Sequence, residues 1–304
     1  MNRVLKRLGL TGQGLVTSVP YLWLVLFFLV PFVIVLKISF STAAIAMPPY
    51  APLLHWVSEK VVQVQLDFSN FMFLVEDNLY WKAYLNSIMV AAISTILCLL
   101  IGYPIAYSIA RSPPSSRNIL MLMIVLPFWT SFLLRVYAWI GILKQNGLLN
   151  NTLMWLGVIH EPLQIMQTYT AVYIGIVYSY LPFMILPLYA NLEKMDLTLL
   201  EAASDLGCKP WQAFYKITLP LSQPGIVAGC LLVFIPAVGE FVIPSLLGSP
   251  GMLMIGKVLW TEFFNNRDWP VASAVAIALL MFLVIPIMYY QRAQDAEAGG
   301  GLHR

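Results

Sequence analysis

The sequence predicts an all-α integral membrane protein with six transmembrane helices. Of its 304 residues, 60% are hydrophobic and only 10% are charged, a balance far from that of soluble domains. Uncharged runs cover 8–36, 83–110, 162–192, 217–239 and 269–291, and each exceeds the ~18 apolar residues that make a spanning helix a candidate. A sixth run, 118–143, is broken only by Arg135.

Basic residues orient these spans. Arg3, Lys6, Arg7, Arg111, Arg117, Lys194, Lys209, Lys216, Arg292 and Arg304 fall on one side, against Lys60, Lys82, Lys144, Lys257 and Arg267 on the other. Both termini and the loop after span four are therefore expected in the cytoplasm. The N-terminal Arg3, Lys6 and Arg7 resemble the start of a signal peptide. The apolar run behind them continues to Leu36 without a small-residue cleavage site, so it reads as a retained first span. The net charge of +3 is dispersed and gives no footprint for nucleic acid.

In order, span one covers about 19–40, with Pro31 as an expected kink. An external loop over 41–82 mixes Pro48, Pro49 and Pro52 with Glu59, Asp67, Glu76 and Asp77. It reads either as a solvated loop with a small amphipathic helix or as a docking surface for an extracytoplasmic protein. Span two follows at about 83–110 and span three at about 118–143. On a straight helix Phe128, Phe132, Arg135 and Trp139 share a face, with Trp129 and Tyr137 offset. The connection 144–166 carries a short helix at 150–156, and span four, about 167–192, contains Pro182 and Pro187. Its Tyr169, Tyr173 and Tyr180 either line a cavity or fill a core. Span five, about 224–248, holds Glu240 between Pro236 and Pro244; an external loop, 249–268, leads to span six at 269–291.

Arg135 and Glu240 interrupt otherwise apolar spans, and each is costly in lipid unless paired or hydrated. Counted from 118 and 224 they lie 17 and 16 residues deep, roughly 26 and 24 Å at ~1.5 Å per residue. The matching depth leaves two readings, an Arg135–Glu240 ion pair or a Glu240 that faces a translocation path.

The cytoplasmic loop 193–222 has helix punctuation of its own. Asp196 or Thr198 can cap a helix in which Leu199, Ala202, Ala203 and Leu206 recur on one face, and Gly207 ends it. If Thr198 is the cap, Glu201 completes a capping box; if Asp196 is, Glu201 is free for a partner. Pro210 suits the first turn of a second helix carrying Trp211, Phe214 and Tyr215.

Within this loop, Glu201-Ala202-Ala203, then Gly207, then Ile217-x-Leu219-Pro220 resembles the EAA loop of ABC-importer permeases, with matching spacing at every fixed position. The resemblance extends over most of the chain, through WTSFLLRVYAWIGILKQNGLLN, VFIPAVGEFVIPSLLG and EFFNNRDWPVASAVAIA, and these stretches are similar to polyamine-importer permeases of the putrescine (PotH) type. It implies a type I importer fold as one permease domain over 1–304. In it, Glu201, Ala202, Ala203, Gly207, Leu219 and Pro220 form a coupling helix and its flank. It also implies a second related permease, two copies of a cytoplasmic ATPase that binds the ATP and magnesium, and a periplasmic polyamine-binding protein. Candidate path residues are Glu240, Arg135, Trp129, Tyr137, Trp139 and Tyr180.

Other chemistries lack their residues. The stretch 251–258, GMLMIGKV, nearly fits a phosphate-binding loop but has no Ser/Thr after its lysine and follows no strand. His55, His160 and His303 have no ligand-spaced partners, and Cys98, Cys208 and Cys230 have no metal or disulfide spacing. A membrane enzyme would need a catalytic cluster that is absent. A secondary transporter would need paired broken repeats.

Overall fold

The computed structural model describes residues 12–58, 61–64 and 66–300. Arg3, Lys6, Arg7, Glu59, Lys60, His303 and Arg304 lie outside these residues. Each of the six apolar runs is mostly helical over its described residues. Val16–Ser39, Asn78–Arg111 and Tyr169–Glu193 are long and apolar enough to cross a membrane unaided. Two bent helix pairs meet the same length and composition test together, Pro114–Trp129 with Phe132–Trp155 at 91°, and Pro210–Leu221 with Gln223–Val238 at 64°. The sixth run opens the helix Trp269–Gly300, and its apolar stretch Trp269–Ile285 is shorter than a full crossing.

The chain divides into two compact units, residues 1–78 with 259–304, and residues 79–258. In the first unit, helix Val30–Ser39 packs along the helix that starts at Trp269. A π-turn, Val25–Leu29, comes just before Pro31, the position of the expected kink. The segment between the first two spans holds the expected small helix, Ser69–Glu76, whose Asn70 Nδ2 donates to Ser39 O (3.0 Å) and Ser41 O (2.8 Å). It also departs from the all-α expectation. Leu54–Ser58 and Val61–Val64 form an antiparallel ribbon with Trp56 opposite Val62, where β-branched and aromatic residues favour extended backbone.

In the second unit, span two begins at Asn78, not at 83, and runs 34 residues to Arg111. At ~1.5 Å per residue it is about 51 Å long, well past a ~30 Å hydrocarbon core. Span four is also continuous, Tyr169–Glu193, with Pro182 and Pro187 inside it. Packing absorbs them. Met184, Ile185, Leu188 and Leu192 are buried in one cluster with Cys98, Tyr103, Ala106 and Ile109 of span two. Span five lies against span four through small residues. A Cβ on Gly229 would fall 2.7 Å from Met184 Sδ, and one on Gly225 would fall 2.8 Å from Asn191 Cβ. Gly225 and Gly229 are four apart, so both face the same neighbour and let the backbones close up.

Span three is the largest correction. It is helical over Pro114–Val125, tightens to a 3₁₀ turn at Leu126–Trp129, breaks at Thr130 and Ser131, and resumes as Phe132–Leu143. Pro127 lies in the 3₁₀ turn and has no N–H to continue the helical ladder. The straight face through Phe128 and Trp139 therefore does not exist, and a depth counted at a uniform rise does not apply to Arg135. The short helix that follows is Leu148–Trp155, fixed by buried Asn150, which bonds Gln145 O and both the N–H and C=O of Leu163.

Candidate coupling site and the charged breaks

Four residues after span four ends at Glu193, the chain enters helix Thr198–Asp205. Leu197 is the N-cap and makes no side-chain cap bond, while just outside the helix Asp196 Oδ1 accepts from the Thr198 N–H at 3.0 Å. The capping-box reading of Thr198 and Glu201 is thereby overturned. Thr198 is already inside the helix, and the exposed Glu201 carboxylate has no hydrogen bond among the described residues.

The helix stops where expected. Gly207 has φ +75°, Cys208 N–H donates to Ala203 O (2.9 Å), and Gly207 N–H donates to Ser204 O (2.9 Å). Those two bonds make a Schellman stop, in which the left-handed residue is nearly free for glycine and strained for any other. The expected apolar face is not turned inward. Ala203 is buried, whereas Leu199 and Ala202 are exposed and Leu206 is 88% exposed. A short amphipathic helix with its apolar side chains outward is a surface that lacks its partner.

The second helix starts with Pro210 at its first turn, and Lys209 N–H donates to Gln212 Oε1 at 3.1 Å. It continues through a π-turn, Phe214–Thr218, into Leu219–Leu221. Its aromatics do not share one environment. Phe214 packs edge-on to Tyr103 (5.7 Å) and Tyr107 (6.4 Å), while Trp211 and Tyr215 are 62% and 63% exposed. Behind Phe214 the Tyr103 hydroxyl and Ser222 Oγ meet at 2.9 Å, both buried, and Leu219 packs against the same cluster. Pro220 is exposed.

Arg135 and Glu240 do not pair. Arg117 instead pairs with Glu193 at 2.7 Å. Glu240, 7% exposed, sits in the break between helices Gln223–Val238 and Val242–Leu247. Its Oε1 accepts from the N–H groups of Val242 (3.0 Å) and Ile243 (3.3 Å), and its Oε2 accepts from the Tyr180 hydroxyl. A carboxylate at the start of a helix answers the orphan N–H groups and the positive dipole end there. Arg135 instead lies over two rings, Phe128 at 4.9 Å and Phe132 at 5.7 Å, with buried Nε and Nη1 making no hydrogen bond. The two charges are joined through rings. Phe128 meets Phe183 edge-on at 5.3 Å, and Phe183 lies 6.1 Å from Tyr180.

Of the other candidate path residues, Trp139 packs edge-on to Tyr178 at 5.3 Å, and Trp129 and Tyr137 are exposed. The stretch 251–258 is a packing element. Met252, Met254 and Ile255 are buried, the Ile255 N–H donates to Ser87 Oγ (2.8 Å), and Lys257 Nζ donates to Pro250 O (3.0 Å). Among the described residues no group of His, Cys, Asp and Glu could hold a metal ion. Sequence reasoning passed over the Gly225–Gly229 contact, although two glycines four apart in an apolar span are a signal for it. It also passed over the Arg117–Glu193 pair, which joins residues 76 apart and leaves no local signal.

Residues 99–295 match the family model described as binding-protein-dependent transport system inner membrane component. The chain is 40% identical over 281 residues to the spermidine/putrescine transport system permease protein PotB of Haemophilus influenzae, covering 92% of this chain and 93% of that one. It is 41% identical over 271 residues to PotB of Escherichia coli K12, covering 89% and 94%. A solved bacterial ABC transporter for the acidic polysaccharide alginate shares the fold at TM-score 0.69 and 16% identity, covering 97% of this chain and 98% of that one. The MetNI methionine ABC transporter shares it at TM-score 0.54 and 16% identity, covering 74% and 97%.

Proposed function

The chain belongs to the binding-protein-dependent transport system inner membrane components, and on that premise we propose that it carries polyamines inward as one of two permease subunits driven by a separate ATPase. It is a non-catalytic subunit; the ATP and magnesium belong to the two copies of that ATPase. The loaded periplasmic binding protein delivers substrate on the opposite face. Both termini and helix Thr198–Asp205 face the cytoplasm, an orientation supported by Arg111, Arg117, Lys194, Lys209 and Lys216 on that side. The PotB relatives name both spermidine and putrescine. A preference for putrescine is the finer reading, and it rests on the resemblance of the three long stretches quoted above.

The observation that carries the coupling reading is the outward apolar face of helix Thr198–Asp205, closed by a glycine stop. Alanine at 202 lets a partner approach closely, and a rigid stub of helix passes on a rigid-body movement. Ala202→Leu is the clean test, because Ala202 is exposed whereas Ala203 already packs inside the chain. The expected result is unchanged abundance with loss of ATPase co-purification and of putrescine uptake. A cysteine at Asp205 in the same preparation should label only from the cytoplasmic side. Normal association and uptake in Ala202→Leu would sink the coupling role.

For the path we propose Glu240, Tyr180 and the ring row through Phe183 and Phe128. A diammonium ion leaving water needs carboxylate or aromatic faces to offset lost hydration. Glu240→Gln keeps an acceptor for the Val242 and Ile243 N–H groups but loses the charge. Abundance should hold while putrescine uptake falls about tenfold or more, the scale of one charged hydrogen bond. Full uptake by that variant would remove Glu240 from the path.

A further inference from the structure

We propose that Arg117 and Glu193 form a latch that makes the second, third and fourth spans move with the coupling helix. This rests on the coupling role assigned to Thr198–Asp205. Arg117 lies in the first turn of helix Pro114–Val125. Its Nη1 donates to Glu193 Oε1 at 2.7 Å, at the last residue of span four. Its Nη2 donates to Ala110 O (3.1 Å) and Ser112 O (3.3 Å), at and just past the end of span two. One guanidinium thus holds the cytoplasmic ends of three helices. The planar fork matters, because lysine offers a single charged point and cannot answer two carbonyls and a carboxylate in those directions.

The latch sits at the root of the coupling helix. Four residues separate Glu193 from Thr198, and two contacts stiffen that link. The Met195 N–H turns back to Leu192 O (3.4 Å), and the Asp196 carboxylate takes the Thr198 N–H (3.0 Å). Arg111 flanks the same link, its Nη2 4.0 Å from Met195 Sδ and its guanidinium over the Tyr107 ring at 5.2 Å. A push on the helix therefore arrives first at Glu193. With the latch closed it is shared by all three spans. With it open, span four pivots alone.

Magnitude separates this role from a structural one. The Arg117 and Glu193 side chains are 22% and 39% exposed, and ion pairs that water reaches contribute little to stability. Their loss should leave the fold intact and change what motion is transmitted.

The test uses the whole importer, with its ATPase and binding protein, in proteoliposomes with labelled putrescine inside the working concentration range. Abundance, ATPase association, ATP hydrolysis and uptake are read together. Glu193→Gln and Arg117→Gln should keep abundance and association while uptake per ATP hydrolysed falls about five- to tenfold, the lower range of a coupling free energy. The double variant should be no worse than Arg117→Gln alone, since the two side chains act as one unit. Arg117→Lys should fall between wild type and Arg117→Gln. If Arg117→Gln lowers abundance, Glu193→Gln decides, because it leaves both carbonyl bonds in place. An unchanged uptake-to-hydrolysis ratio in Glu193→Gln would overturn the latch. If that ratio is unchanged while Ala202→Leu abolishes association, the latch alone fails and the coupling helix stands. If Ala202→Leu is also silent, the reading beneath it fails too.

Discussion

The loop that carries helix Thr198–Asp205 is tied to the spans at its front by a guanidinium and a carboxylate that water still reaches, and at its rear by a phenyl ring wedged between two tyrosines. At the front, Arg117 and Glu193 are partly exposed and meet at 2.7 Å. At the rear, Phe214 stands between Tyr103 and Tyr107, backed by a buried hydroxyl pair, Tyr103 with Ser222. Apolar burial is non-directional and stabilises strongly, whereas an exposed ion pair stabilises little but has a defined geometry. On the latch proposed above, the rear attachment keeps the loop folded and the front one sets which helices follow it.

Substitutions across the two attachments should therefore divide into stability losses at the rear and transmission losses at the front. The largest effect is expected of Phe214→Ala. A fully buried Phe→Ala change costs ~3–5 kcal/mol, and Phe214 is partly buried, so about 2 kcal/mol is expected. A lower melting temperature of the detergent-solubilised protein and reduced membrane abundance would show it. An unchanged melting temperature would remove the distinction between front and rear. Tyr103→Phe should come next, at about 1 kcal/mol, because it deletes one buried hydroxyl but leaves Ser222 Oγ its bond to Leu219 O (2.9 Å). Glu193→Gln should come last, under ~1 kcal/mol and within the scatter of a melting measurement. A drop as large as that of Phe214→Ala would make the front attachment structural.

How far these parts could be read from residues alone follows from where their causes lie. The Gly207 stop and the Pro210 start were legible, since each is a backbone requirement met by one residue type. The six apolar runs were legible for the same local reason. The break in span three was not. Pro182 and Pro187 stay inside a continuous helix, while Pro127 accompanies a 3₁₀ turn and a 91° bend. A proline frees a carbonyl in every case, and the packing around it decides whether the helix holds. The Arg135–Glu240 pairing failed because a depth counted along straight helices cannot anticipate that bend. It also ignored the nearest donors to Glu240, which are the backbone N–H groups two and three residues on and a tyrosine on span four. The outward face of helix Thr198–Asp205 was half legible: the periodicity was right, but periodicity does not say which protein covers the face.

One feature of the rear attachment also sets a rotation. The π-turn Phe214–Thr218 closes with the Leu219 N–H donating to Phe214 O, one residue further back than an α-helix would reach, and Pro220 follows immediately. A helix that accommodates one extra residue is displaced in phase by about 100°, the angle a residue occupies at 3.6 per turn. The faces before and after the turn are clocked apart by that amount, so Phe214 can point at Tyr103 while Leu219 and Ser222 also turn inward. Deleting a single residue between 214 and 218 would leave every other side chain present yet rotate span five against the loop. For this protein, length in that short stretch is as much a specification as composition.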